Sequence, residues 1–182
     1  MAMSRLCVFL AGPSGAGKSD VAWHLCKRHG FSCVSLGDIC RVEAQRRGWP
    51  TDRMHLQRAG DALRGGEPAR LAMMALEQAQ GSAVVIDGVR LVAEGEYLRA
   101  RGVIGVRVEA PEALRMERLV KRDGDSRMPS HRTEAEAGRV PADIVLVNTR
   151  DALAFARDLR DVVARIAAVH IQRDAQQRAV SE

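Results

Sequence analysis

Gly12-Pro13-Ser14-Gly15-Ala16-Gly17-Lys18-Ser19 fits the spacing G-x-x-x-x-G-K-[ST] and directly follows the apolar run Leu6-Cys7-Val8-Phe9-Leu10-Ala11. A buried strand, a glycine-rich turn and a helix-forming continuation coincide, so the stretch reads as a phosphate-binding loop. Glycines at 12, 15 and 17 allow the curled backbone in which successive N–H groups, those of Pro13's neighbours Ser14 to Ser19 including Ala16, point inward at phosphate oxygens. The following helix adds its positive N-terminal end. Lys18 then supplies a mobile charge for the outer phosphates, and the Ser19 hydroxyl a hard oxygen for Mg²⁺.

Downstream, apolar runs alternate with amphipathic segments. Ser19 to His29 reads as a helix closed by Gly30, Phe31 to Leu36 as a short strand, and Gly37-Asp38 as the start of a helix through Arg47. Thr51 or Asp52 caps a helix ending at Gly65-Gly66, and Pro68 opens another. Ser82 to Asp87 is a buried strand, Leu91 to Arg101 a helix, Gly102 to Val108 a strand, and Pro111 to Arg122 a helix. A polar stretch from Asp123 to about residue 133 reads as a small lid, Ala142 to Val147 as the last strand, and Asp151 to Ile171 as a long helix. The expectation is one α/β domain over residues 1–171 with a five-stranded parallel sheet, followed by a polar, frayed tail over 172–182. Right-handed crossovers place the loop, Asp38 and Asp87 along one sheet edge.

Composition narrows the class. The 182 residues are 46% hydrophobic and 28% charged, with no apolar run of membrane-spanning length and no secretory pattern before Leu6, so a cytoplasmic protein without membrane contact is expected. The four cysteines form no C-x-x-C pair and read as buried free thiols; the five histidines have no metal-ligand spacing. The net charge of +5 suits anionic small molecules and equally nucleic acid, though nothing else favours the latter. Lys18, Lys27 and Lys121 are the lysines among 28 basic residues, so an arginine needs a positional argument before it is given a role. Trp49, beside Pro50, reads as packing between helices rather than as a base-stacking platform.

Asp87 closes an apolar strand, where a carboxylate can hold a magnesium-bound water beside Ser19. Arg118 and Arg122 lie four apart on one helix face leading into the polar stretch that holds Arg127; on the residues alone this is a solvated basic face, and in a phosphotransferase the three could close over the transferring phosphoryl group. Asp38 has two readings: general base if the acceptor is a hydroxyl, or a positioning group if the acceptor is already a phosphate.

These residues give the chain a resemblance to the nucleoside monophosphate kinases, a branch of the P-loop kinases. Gly37-Asp38-Ile39-Cys40-Arg41 is similar to the adenylate kinase-like Gly-Asp followed by an arginine that holds the acceptor phosphate, and Asp87-Gly88-Val89-Arg90 to their Asp-Gly and arginine, one residue shorter. His55 to Arg64, and Gly88-Val89-Arg90 with Glu94, resemble phage-type deoxynucleoside monophosphate kinases. Ala142-Asp143 before a strand and Asn148 after it resemble dephospho-coenzyme A kinase.

The resemblance implies a P-loop kinase-type three-layer sandwich with a small lid, ATP and Mg²⁺ as cofactors, and a small nucleotide-like acceptor. In that scheme Gly12 to Ser19 and Asn148 bind the nucleotide, and Asp38, Arg41, Arg64 and Arg90 bind the acceptor. Ser19 and Asp87 serve the metal, while Lys18, Asp38, Arg118, Arg122 and Arg127 serve catalysis. A kinase of a hydroxyl acceptor and a non-kinase P-loop ATPase or switch remain as alternatives, and the oligomeric state is open.

Overall fold

A computed structural model describes residues 5–123, 132–149 and 151–181. Five strands form one parallel sheet: β1 (Leu6–Ala11), β2 (Ser32–Ser35), β3 (Ala83–Val89), β4 (Ile104–Glu109) and β5 (Ile144–Val147), in the order β2-β3-β1-β4-β5. The helices among the described residues are α1 (Lys18–His29), α2 (Leu36–Arg46), α3 (Arg53–Arg64), α4 (Arg70–Gln78), α5 (Val92–Arg99), α6 (Glu112–Asp123), α7 (Arg132–Ala137) and α8 (Ala152–Ser181). This is the α/β P-loop kinase fold expected.

The sheet is apolar on both faces because helices cover both. Along β1, Cys7, Phe9 and Ala11 face α2, α3, α4 and α5 through Ile39, Cys40, Ala44, Ala59, Leu71, Ala75 and Leu98. Val8 and Leu10 face the other way, onto Val21 and Leu25 of α1 and Val162 and Ile166 of α8. Phe9, Leu10, Leu25, Leu71 and Ile166 are almost wholly removed from water, each worth about 1.5–3 kcal/mol of transfer free energy.

The chain fills one side of β1 first, with β2 and β3, and then the other, with β4 and β5. Such a reversal opens a crevice beyond the carboxyl end of the central strand, and the glycine-rich loop lies there. Register brings the motifs together: Asp87 lies opposite both Leu10 of β1 and Ser35 of β2, and Val147 opposite Glu109. Between Leu10 and Ala11 the register shifts, so Gly88, at φ 91°, is the extra residue of a bulge on β3.

Two expectations change, and α7 is a helix the sequence did not suggest. The stretch from Gln172 onward continues α8 to Ser181, and Arg173 joins it to the segments leading into β4 and β5 by donating to Gly102 O at 3.0 Å and to Asp143 at 2.8 Å. Cys7 and Cys40 are buried thiols as anticipated, but Cys26 is half-buried and Cys33 exposed, since β2 is an edge strand. The helix α7 carried no periodic signal, being only six residues long. Trp49 packs against the core, with the Arg47 and Arg58 guanidinium groups over its ring at 5.0 and 4.4 Å.

Candidate active site

The loop between β1 and α1 leads directly into a cavity of about 290 Å³ lined by Ser14, Gly15, Gly17, Lys18, Ser19, Ser35, Gly37, Asp87, Gly88, Arg90 and Arg118, among others. Gly12, Gly15 and Gly17 all have positive φ, and backbone of Val108 and Arg115 and the side chain of Asn148 press on them from behind. A Cβ on Gly12 would lie 2.1 Å from Val108 O, and one on Gly17, at φ 102°, 2.3 Å from Asn148 Nδ2. Pro13 and Ala16 complete the turn, with Ala16 N–H bonded to Pro13 O at 3.3 Å.

Lys18 lies across the loop, its Nζ donating to Gly12 O at 2.7 Å and Pro13 O at 2.9 Å. Those carbonyls hold the ammonium in the cavity that Ser19 and Asp87 also line, close enough to Asp87 to act on its charge. Asp87 is mostly buried, and its Oδ1 has no hydrogen-bond partner. Burial pushes its carboxyl up, against the pull of Lys18 and of its hydrogen bond to the Gly88 backbone. An orphaned buried carboxylate oxygen on Asp87, which lines the same cavity as Ser19, is with that hydroxyl the hard-oxygen donor set a magnesium ion takes, so the residues fit that cation.

Asn148 differs from its expected role of touching the nucleotide. It is buried at the end of β5, its Nδ2 donating to Ala16 O at 2.9 Å and its Oδ1 accepting from Arg118 at 3.2 Å. It braces the loop from behind. Arg118 also donates to Gly15 O at 3.1 Å and reaches the cavity wall. Arg122 lies one turn further along α6, and Arg127 lies outside the described residues.

On the acceptor side, Ser35 caps α2 by accepting from Asp38 N–H at 3.3 Å, which sets Asp38 in the first helical turn. Asp38 and Arg41 form an exposed ion pair one turn apart. Asp38 lines a second cavity of about 420 Å³, with Val34, Ile39, Val42, Leu63 and Met74 as its apolar wall. Both cavities include Ser35, so the phosphate side and the apolar side meet there.

Arg64 corrects an expectation. Placed in the acceptor site from sequence, it is instead buried, with its guanidinium 2.8 Å from Glu94 Oε1 and 3.3 Å from Asp61. Glu94 is wholly buried, and its other oxygen accepts the N–H groups of Arg90 at 2.9 Å and Leu91 at 3.0 Å. The Arg64–Glu94 pair therefore fixes the turn that presents Arg90. Arg90 lines the loop cavity and pairs with Glu134 of α7.

Sequence reasoning missed Arg53, Arg115 and Glu134. Arg53, the first residue of α3, donates to Ser14 Oγ at 2.9 Å; Arg115, on α6, reaches Ser14 O at 3.5 Å. Arg115 is three residues before Arg118 on the same helix face, a spacing that was readable; Arg53 and Glu134 had no local signal.

The close fit behind Gly17 gives a test of the loop. Gly17→Ala is expected to lose about 1–2 kcal/mol from the left-handed backbone alone, and to lose nucleotide binding because Asn148 must move. Gly30→Ala, at φ 70° with nothing within 4 Å of the added carbon, should show only the backbone cost. Thermal unfolding and nucleotide titration of both variants check this; equal binding by the two would show that Asn148 does not shape the loop.

Residues 8–139 match the family model described as AAA domain. A UPF0200 protein of Pyrococcus horikoshii is 30% identical over 183 residues, covering 88% of this chain and 97% of that protein. Another, from Aeropyrum pernix, is 35% identical over 123 residues, covering 65% of this chain and 66% of that protein. Among solved structures, a shikimate kinase from Acinetobacter baumannii has a TM-score of 0.60 at 17% identity, covering 91% of this chain and 96% of that one. A gluconokinase from Sinorhizobium meliloti has a TM-score of 0.56 at 19% identity, covering 96% and 99%. At such identities these structures share the fold alone. The match over residues 8–139 and the nearly full-length Pyrococcus relative show that the chain belongs to the AAA-domain family of P-loop proteins, among the UPF0200 proteins.

Proposed function

We propose that this chain is an ATP- and magnesium-dependent phosphotransferase that moves the γ-phosphate to a nucleoside monophosphate-like acceptor. The observation that carries the reading is the wall of a single cavity. The loop residues Gly15, Gly17, Lys18 and Ser19 face it together with the buried carboxylate Asp87 and the arginines Arg90 and Arg118. Donor phosphates lie along the loop N–H groups; Lys18, Arg90 and Arg118 supply positive charge from three elements, which is what a phosphoryl group in transfer requires. Ser19 and Asp87 would hold the magnesium ion, which when bound neutralises phosphate oxygens.

The acceptor reading rests on the neighbouring cavity. Its apolar wall suits a base or sugar face, and its meeting with the loop cavity at Ser35 lets an acceptor reach the donor's end. Arg41 offers a planar fork for an acceptor phosphate, and Asp38 orients it or, for a hydroxyl acceptor, takes its proton.

An ATP-consumption screen over ribo- and deoxynucleoside monophosphates, nucleosides, dephospho-coenzyme A and short DNA, with Lys18→Ala as blank, tests the reading. Turnover with a monophosphate supports it. Turnover with hydroxyl acceptors alone makes Asp38 the base, and slow ATP hydrolysis that no acceptor stimulates points to an ATPase or switch. Arg41→Ala should raise the apparent KM for the acceptor about tenfold or more, the worth of one charge-assisted hydrogen bond of about 1.5–3 kcal/mol, and leave that for ATP nearly unchanged. An equal effect on both would remove Arg41 from the acceptor site.

A further inference from the structure

The mouth of the loop already holds an anion, and it belongs to the chain. Glu134 reaches from α7 so that Ser14 N–H donates to its Oε2 at 3.0 Å and the Ser14 hydroxyl to its Oε1 at 2.6 Å. The same Oε1 pairs with Arg90 and lies 3.5 Å from Arg53, whose guanidinium also donates to Ser14 Oγ at 2.9 Å. The glutamate side chain is only 7% exposed. Burial alone would raise its carboxyl, but Arg90, the two Ser14 bonds and the nearby Lys18 together hold it below the ordinary glutamate range, so it is ionised.

These donors have the chemistry of a phosphate cradle: one loop N–H, one hydroxyl and two guanidinium groups converging on two anionic oxygens. Nothing about a structural strut calls for that set. A carboxylate anchoring a helix to a loop needs one or two partners, whereas here four charge-bearing or loop groups are drawn to one side chain. Two of them, Ser14 and Arg90, also line the cavity where the donor's phosphates lie.

We propose that Ser14, Arg53 and Arg90 form the seat of the terminal phosphate of a nucleoside triphosphate, and that Glu134 is its resident counter-anion, displaced when that phosphate binds. The inference rests on the phosphate-loop reading above and adds to it two residues and a selectivity. A triphosphate must exchange with Glu134, and a diphosphate, lacking the outer group, need not. Glu134 therefore lowers the affinity for triphosphate alone and keeps the arginines compensated between turnovers.

Calorimetric titration of the full chain with ADP and with β,γ-imido ATP, in magnesium, tests this. Glu134→Gln keeps the shape and removes the charge; it should tighten the triphosphate analogue about tenfold and leave ADP within about twofold. Arg53→Gln should weaken the analogue more than ADP, a readout available even if Glu134→Gln folds poorly. Equal shifts for both nucleotides, no shift, or weaker analogue binding by Glu134→Gln would overturn the inference while leaving the phosphate loop standing. Failure of the wild-type chain to bind either nucleotide would overturn the phosphate-loop reading, and this inference with it.

Discussion

Lys18→Ala is expected to lower turnover by on the order of 10³-fold while the protein remains folded. Lys18 is tied to the loop through Gly12 O and Pro13 O, so the ammonium stands at the loop mouth before any substrate arrives. That preorganisation is the basis of the large effect, because a charge already in place costs no reorganisation during transfer. The same lysine opposes the effect of burial on Asp87; without it that carboxyl is driven further toward its neutral form and becomes a poorer partner for a cation. The structural loss is small by comparison, two carbonyl bonds at a partly exposed site, each worth about 1 kcal/mol. Lys18→Arg is expected to be nearly as inactive, since a planar guanidinium cannot replace a compact ammonium held between two adjacent carbonyls. Steady-state rates with the best acceptor, set beside thermal unfolding, separate the two effects. Activity above about a tenth of wild type in Lys18→Ala would remove the loop lysine from the chemistry.

What the sequence made legible here is local. The loop motif, the strand before it and the helix after it are contiguous, and a parallel sheet covered on both faces requires uninterrupted apolar runs such as Val84-Val85-Ile86. The same reasoning placed Asp87 and the Asp38 turn on one sheet edge, because parallel strands present their carboxyl ends together. It failed where a role depends on a partner far along the chain. Arg64 resembled an acceptor ligand until the fold set it against Glu94, 30 residues later. Asn148 resembled a nucleotide contact, but β5 delivers it behind Ala16, 132 residues earlier. Glu134 sits in an Arg-Thr-Glu-Ala-Glu-Ala run too short to carry a helical period, and only the approach of Ser14 and Arg90 distinguishes it. The extent of α8 had the same origin, since Arg173 finds partners in the segments that lead into β4 and β5.

Glu94→Ala is expected to cost about 3–5 kcal/mol of stability, the typical price of breaking a buried ion pair from one side. The side chain is fully buried and four hydrogen bonds end on it: two from Arg64 nitrogens at 2.8 and 3.3 Å, and one each from the N–H groups of Arg90 and Leu91. Alanine leaves Arg64, whose side chain is 7% exposed, with Asp61 as a more distant partner at 3.3 Å, and orphans two amides at the entrance to α5. Against a total stability of about 5–15 kcal/mol for an ordinary domain, that loss is a large fraction. Glu94→Gln should cost nearly as much, because its amide must turn an N–H toward either Arg64 or the two backbone donors. Replacing both partners with methionine should recover part of the loss, since no charge is then left buried, but not the share due to the orphaned amides. Activity supplies a second reading of the same contact: where enough folded Glu94→Gln survives, the loosened turn should misplace Arg90 in the loop cavity and lower turnover. Urea unfolding of the three variants measures the first effect, and a loss below about 1 kcal/mol in Glu94→Ala would mean that the turn presenting Arg90 is held by something other than this carboxylate.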